Sequence, residues 1–122
     1  MEKIKTGVPQ PSSAPSSIRI RRSQCTLEWS SGECFSGHQV GEFVRLFEEE
    51  RSRLKEEPGA LNPAECLIEE GGYMVLIITY WDSRDSCLRY HASRSYRQFV
   101  AKTQHLLVGD FVVKLFRCES PA

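Results

Sequence analysis

The groups in this 122-residue sequence that could do chemistry are imidazoles, thiols and aromatic rings, and their spacing narrows what that chemistry can be. An imidazole titrates near neutrality and can accept or deliver a proton. Of the three histidines, His38 falls in the first turn of an expected helix, on the exposed side, and His105 in an expected loop. His91 sits in the run Tyr90-His91-Ala92-Ser93-Arg94-Ser95-Tyr96-Arg97, on the inward side of an expected helix. The plainer reading of His91 is a satisfied helix histidine. The five cysteines, Cys25, Cys34, Cys66, Cys87 and Cys118, are odd in number and include no C-x-x-C pair. Several lie inside apolar-periodic segments, so buried thiols in a reducing compartment are expected rather than a disulfide framework. No closely spaced ligand pair reads as a zinc site, and no metal is expected. Trp29 and Trp81 read first as core fillers.

Composition excludes several function classes. The sixteen basic and sixteen acidic residues cancel, so no bulk charge draws the chain to nucleic acid or anionic lipid. A basic cluster, Arg19-Ile20-Arg21-Arg22, reads as a solvated strand entry. Met1 to Ser17 holds Pro9, Pro11 and Pro15 and no apolar run after its lysines, so residues 1–17 are expected to be a flexible arm rather than a secretory signal. No window approaches a transmembrane length. A cytoplasmic protein of one domain, residues 18–122, is expected.

Periodicity then places the elements. A first strand is expected from about Ile18 to Trp29, with Cys25, Leu27 and Trp29 on one face and Thr26 and Glu28 on the other. Ser36 and Gln39 read as a capping box, with Phe35 and Val40 at staple positions. Val40, Phe43, Val44, Phe47, Arg51 and Leu54 follow as the inward stripe of a helix that Pro58-Gly59 stops. A strand near 64–70 turns through Gly71-Gly72 into another, Tyr73 to Trp81. Asp82 or Ser83 caps a second helix expected to run to about Thr103, and a last strand spans Phe111 to Cys118.

The order strand, helix, strand, strand, helix, strand is the α+β, ferredoxin-like βαββαβ plan: a four-stranded antiparallel sheet with two helices on one face. The run Tyr73-Met74-Val75-Leu76-Ile77-Ile78-Thr79-Tyr80-Trp81 does not alternate, so both its faces should be buried. The helices can cover one face. Covering the other calls for a second copy of the chain, and a homodimer through the sheet face is expected.

The stretch Tyr80-Trp81-Asp82-Ser83-Arg84-Asp85-Ser86-Cys87-Leu88-Arg89-Tyr90-His91-Ala92-Ser93-Arg94-Ser95-Tyr96 resembles the antibiotic biosynthesis monooxygenase family. In that family an aromatic residue ends the third strand, a charged-Ser cap follows, and the next helix carries His-x-Ser. Here Trp81, Ser83, His91 and Ser93 hold those places. The resemblance implies a dimeric α/β barrel with a pocket between sheet and helices, and in some members oxidation of aromatic polyketides or quinols without metal or flavin. It would make His91 the base that takes a phenolic proton. Tyr90, Tyr96, Trp81 and Trp29 would line the pocket, Arg97 would stabilise the anion, and no cofactor would be needed.

The haem-degrading branch of the family uses an Asn on the first strand and a Trp and a His on the second helix. Those positions fall here on no asparagine, on Tyr90 and on Val100, which excludes that activity. RNA-recognition domains share the element order, but Gly72-Tyr73-Met74-Val75-Leu76-Ile77 lacks their stacking aromatics. The remaining alternative is a non-catalytic dimer of the same fold that binds a small apolar ligand or serves only as structure.

Overall fold

A computed structural model describes residues 25–61 and 64–118. The expected arm at 1–17, the basic cluster at 19–22 and the first part of the expected first strand lie outside the described residues. The elements are β1 (Thr26–Glu33), α1 (Gly37–Leu54), β2 (Glu65–Ile68), β3 (Met74–Trp81), α2 (Arg84–His91), α3 (Arg94–Thr103), a 3-10 turn (Gln104–Leu106) and β4 (Val112–Arg117). The four strands form one antiparallel sheet in the order β2-β3-β1-β4, the α+β ferredoxin-like arrangement expected from the sequence.

β1 runs beyond the expected end at Trp29, through Ser30, Ser31 and Gly32. These residues have little strand propensity, but they are paired on both sides, with Ile77, Leu76 and Val75 of β3 and, for the two serines, with Val113 and Val112 of β4. Pairing on two edges overrides local preference. α1 starts at the Ser36 cap, and Val40, Phe43, Phe47 and Leu54 are buried. Arg51, in the same stripe, reaches across to donate from Nε to the Ala64 carbonyl at 2.7 Å. The capping box is not closed in the expected way: Ser36 bonds the Gln39 side chain rather than a backbone amide, and Phe35 stays exposed.

The second helix is two helices. α2 ends at His91, and Ser93 takes an extended conformation (φ −77°, ψ 158°) and caps α3, its Oγ accepting from the Tyr96 amide at 3.2 Å. Serine offers the backbone a competing partner, so a serine inside an apolar-periodic run can end one helix and begin another. Leu88, expected on or near the inward side, is exposed.

The core lies between the helices and one face of the sheet. Phe43, Phe47, Phe99 and Phe111 meet edge to face, with ring centroids 5.6–6.3 Å apart. Gly59 fixes how α1 returns toward β3. It has φ +90°, its carbonyl accepts from the Asp82 amide, and a Cβ there would lie 2.3 Å from the Ser86 hydroxyl of α2. Only glycine fits both conditions.

The register assigns every strand side chain to a face. Thr26, Glu28, Ser30, Val75, Ile77, Thr79 and Trp81 point to the helices and are buried. Leu27, Trp29, Leu76, Ile78, Tyr80 and Phe116 point the other way. On that far face Trp29, Tyr80 and Phe116 are each more than a third exposed, as are Leu67, Met74 and Val112. No helix of the described residues is long and apolar enough to cross a membrane.

Candidate functional site

Glu28 is the centre of the site, and it is a charged side chain in the core: its carboxylate is only 6% exposed. A buried carboxylate is tolerable only if its oxygens are satisfied. Each oxygen here has two donors. Trp81 Nε1–H donates to Oε1 at 2.9 Å, and the Cys87 thiol approaches the same oxygen at 3.5 Å. Ser30 Oγ–H donates to Oε2 at 3.2 Å, and His91 Nε2 lies 2.6 Å from that oxygen. Burial alone pushes the Glu28 carboxyl up. The hydrogen bond from His91, that ring's charge and the bonds from Trp81 and Ser30 outweigh burial and hold the carboxyl below its usual 4.5.

An ionised carboxylate can only accept, so the hydrogen in the 2.6 Å contact belongs to His91 Nε2. Glu28 therefore fixes the tautomer of His91 and leaves Nδ1, which has no partner among the described residues, as the nitrogen able to take a proton. With all four acceptor directions used, Glu28 orients the ring rather than acting as a base. The buried end of this pair is locked, and the other end is not: the His91 side chain is 20% exposed.

The break between α2 and α3 shapes what His91 presents. In a continuous helix, residues five apart lie about 140° apart around the axis and cannot meet. Ser93 interrupts the helix, and the His91 and Tyr96 rings stack at 4.4 Å with 9° between their planes. Tyr96 then lines a groove of about 300 Å³ between α3 and β4, together with Val100, Leu107, Phe111 and Val113. Val113 is paired with Ser30, and Leu115 with Glu28, so this open strip of β4 runs alongside the Glu28–His91 pair. A second groove, of about 620 Å³, begins at the other end of the strip, at Thr26 and Leu115. Burial first, then the nearby Glu28 charge, pushes the Tyr96 hydroxyl up to about 12, so it stays protonated and can donate to a ligand.

The other residues singled out from sequence divide into two groups. Trp81 is fully buried behind Glu28, its ring 5.3 Å from that of Tyr90. The Tyr90 hydroxyl donates to Glu50, which also accepts from Ser95 at 2.8 Å. Burial, reinforced by Glu50, pushes the Tyr90 phenol up, and its ring closes the back of the site. Trp29 and Arg97 are not brought to His91. Alternation along β1 sends Trp29 to the far face, where it meets Phe116 edge to face at 6.3 Å, and Arg97 is exposed on α3 with no side-chain partner among the described residues.

Sequence reasoning missed Glu28 as a site residue. It placed Glu28 and Trp29 correctly on opposite faces but looked to the tryptophan for the pocket. It also missed Cys87, which is four residues before His91 on one face of α2, with Sγ 3.8 Å from Nε2. Burial pushes that thiol up, and the Glu28 carboxylate pushes it further, so it is not a nucleophile at neutral pH. Cys34, Cys66 and Cys118 also carry free thiols.

Comparison with known proteins agrees with the architecture. No curated protein sequence matches the chain. Among solved structures, a mutant of SnoaB, a cofactor-independent oxygenase from Streptomyces nogalater, superposes with a TM-score of 0.69 at 15% identity, over 80% of this chain and 96% of that one. A conserved protein from Methanosarcina mazei superposes with a TM-score of 0.70 at 13% identity, over 80% and 97% of the two chains. At such identities the likeness is one of fold. A sequence model described as antibiotic biosynthesis monooxygenase matches residues 35–102, from the start of α1 to the end of α3, and the chain belongs to that family.

Proposed function

We propose that this protein is a cofactor-independent monooxygenase acting on a small aromatic or quinol-like substrate, with His91 as the base. The observation that carries the reading is the 2.6 Å contact between Glu28 and His91, whose ring stacks on Tyr96 of a largely apolar groove. A phenol or anthrone-type substrate held against Tyr96 gives a proton to Nδ1 of His91, and the imidazolium is stabilised by the Glu28 carboxylate behind it. The electron-rich anion then reduces dioxygen. In the anthrone case one oxygen atom becomes the new carbonyl, and the other leaves as water with the two hydrogens of the oxidised carbon. The groove, at about 300 Å³, is at the small end of ligand sites and suits one or a few fused rings. That a family neighbour in fold is a cofactor-independent oxygenase adds support by analogy.

The working unit in this proposal is a homodimer joined through the far face of the sheet, in the cytoplasm. Trp29, Met74, Tyr80 and Phe116 form an apolar surface that a second copy would cover.

Oxygen uptake with hydroquinone and with anthrone tests the chemistry. The parent protein should consume oxygen above the buffer rate, and His91→Ala should lower that rate about 10²–10⁴-fold, the usual worth of a positioned base, with the far-ultraviolet circular dichroism unchanged. A folded parent protein without activity on either substrate would leave the non-catalytic, ligand-binding reading.

A further inference from the structure

Glu28, Cys87 and His91 bring three different donor atoms together: a carboxylate oxygen, a thiol sulfur and an imidazole nitrogen, all within 4.8 Å of one another. They come from two elements. Cys87 and His91 share one face of α2 at a spacing of four, and Glu28 faces them from β1. We propose that this triad is a binding site for a zinc-class divalent ion, with the fourth position taken by water at the exposed edge of His91.

The spacing can be compared with what the ion needs. Tetrahedral zinc at ordinary bond lengths separates a nitrogen from an oxygen by about 3.3 Å, and a sulfur from either by about 3.6 Å. The sulfur lies 3.5 Å from Glu28 Oε1 and 3.8 Å from His91 Nε2, close to those two edges without movement. The 2.6 Å contact of His91 is with the other oxygen, Oε2, so the carboxylate must shift as an ion replaces the hydrogen now shared there, to set one oxygen about 3.3 Å from the nitrogen and about 3.6 Å from the sulfur. The surroundings are those of a metal-ligating carboxylate. Trp81 and Ser30 hold Glu28 in place by hydrogen bonds that do not compete for the ion. A sulfur, nitrogen and oxygen set favours zinc or cobalt over magnesium or calcium, which take oxygen ligands. Binding releases the Cys87 proton and moves the His91 hydrogen from Nε2 to Nδ1. The site does not depend on the oxygenase reading: with an ion on Nε2 the ring hydrogen sits on Nδ1, so the metal-bound ring and the ring acting as base are alternative states of His91.

Cobalt is the probe, because a thiolate bound to Co²⁺ gives a charge-transfer band that carboxylate and imidazole do not. The full chain, stripped with a chelator and titrated with Co²⁺, should show that band saturating at one equivalent, and Zn²⁺ should displace it. Cys87→Ser should abolish the band, and His91→Ala and Glu28→Gln should each weaken binding at least about tenfold. No band, or a band that survives Cys87→Ser, overturns the proposal and assigns any cobalt bound to the other thiols. Should Cys87→Ser not fold, X-ray absorption on the zinc-loaded parent decides the question. One sulfur with nitrogen and oxygen neighbours supports the site, and a shell with several sulfurs or none overturns it.

Discussion

The two faces of β1 are built in opposite senses. The face toward the helices is buried and polar, with Thr26, Glu28 and Ser30. The face away from them carries Leu27 and Trp29, and it joins Tyr80, Met74 and Phe116 in an exposed apolar surface. A strand selected only to stabilise a single subunit would have the reverse pattern. A carboxylate belongs in a core only when several donors hold it, and a tryptophan on a bare sheet face is unfavourable unless something covers it. The difference separates the faces: the inner one holds the Glu28–His91 pair, and the outer one presents an apolar surface.

The outer face can be broken first, and the effect should be large. Ile78 is paired with Trp29 on one side and Glu65 on the other, at the centre of that surface. Ile78→Asp should raise the dimer dissociation constant at least about 100-fold, or ~3 kcal/mol, in sedimentation equilibrium, because it puts an unpaired charge in the interface. An unchanged mass would mean that the outer face is not the dimer surface.

The same substitution on the two faces sharpens the contrast. Trp81→Phe removes the indole donor from the buried Glu28 and should cost about 1–3 kcal/mol in urea denaturation. Ser93→Ala removes the α3 cap and should cost about 1 kcal/mol. Trp29→Phe, measured in the monomeric Ile78→Asp background, should stay within about 0.5 kcal/mol. Equal costs for the two tryptophans would erase the distinction between the faces.

Most of the fold was legible because it rests on local signals. The inward stripe from Val40 to Leu54, the Gly71-Gly72 turn and the unbroken apolar run of β3 each declare an element within a short window. The bare outer face followed from the same run. At the site, His91, Tyr96, Tyr90 and Trp81 were legible, through the family pattern, and Glu28 was not. Glu28 is 63 residues from His91 in the chain, and hydrophobicity alone favours Trp29 over Glu28 for the inward face. The helix break at Ser93 was hidden because apolar periodicity continues on both sides of it, although it is this break that stacks Tyr96 on His91. Cys87 and His91 stand four apart on one helix face, but without Glu28, which comes from β1, that spacing reads as a buried thiol beside a helix histidine.

The most direct test of the central claim is the hydrogen position on His91, read from imidazole nitrogen-15 resonances of the metal-free protein and assigned with His91→Gln. The hydrogen should be on Nε2, held by Glu28, and the resonance of the bare Nδ1 should move when hydroquinone is added. A hydrogen on Nδ1 with Nε2 bare, or an imidazole indifferent to hydroquinone, would contradict it.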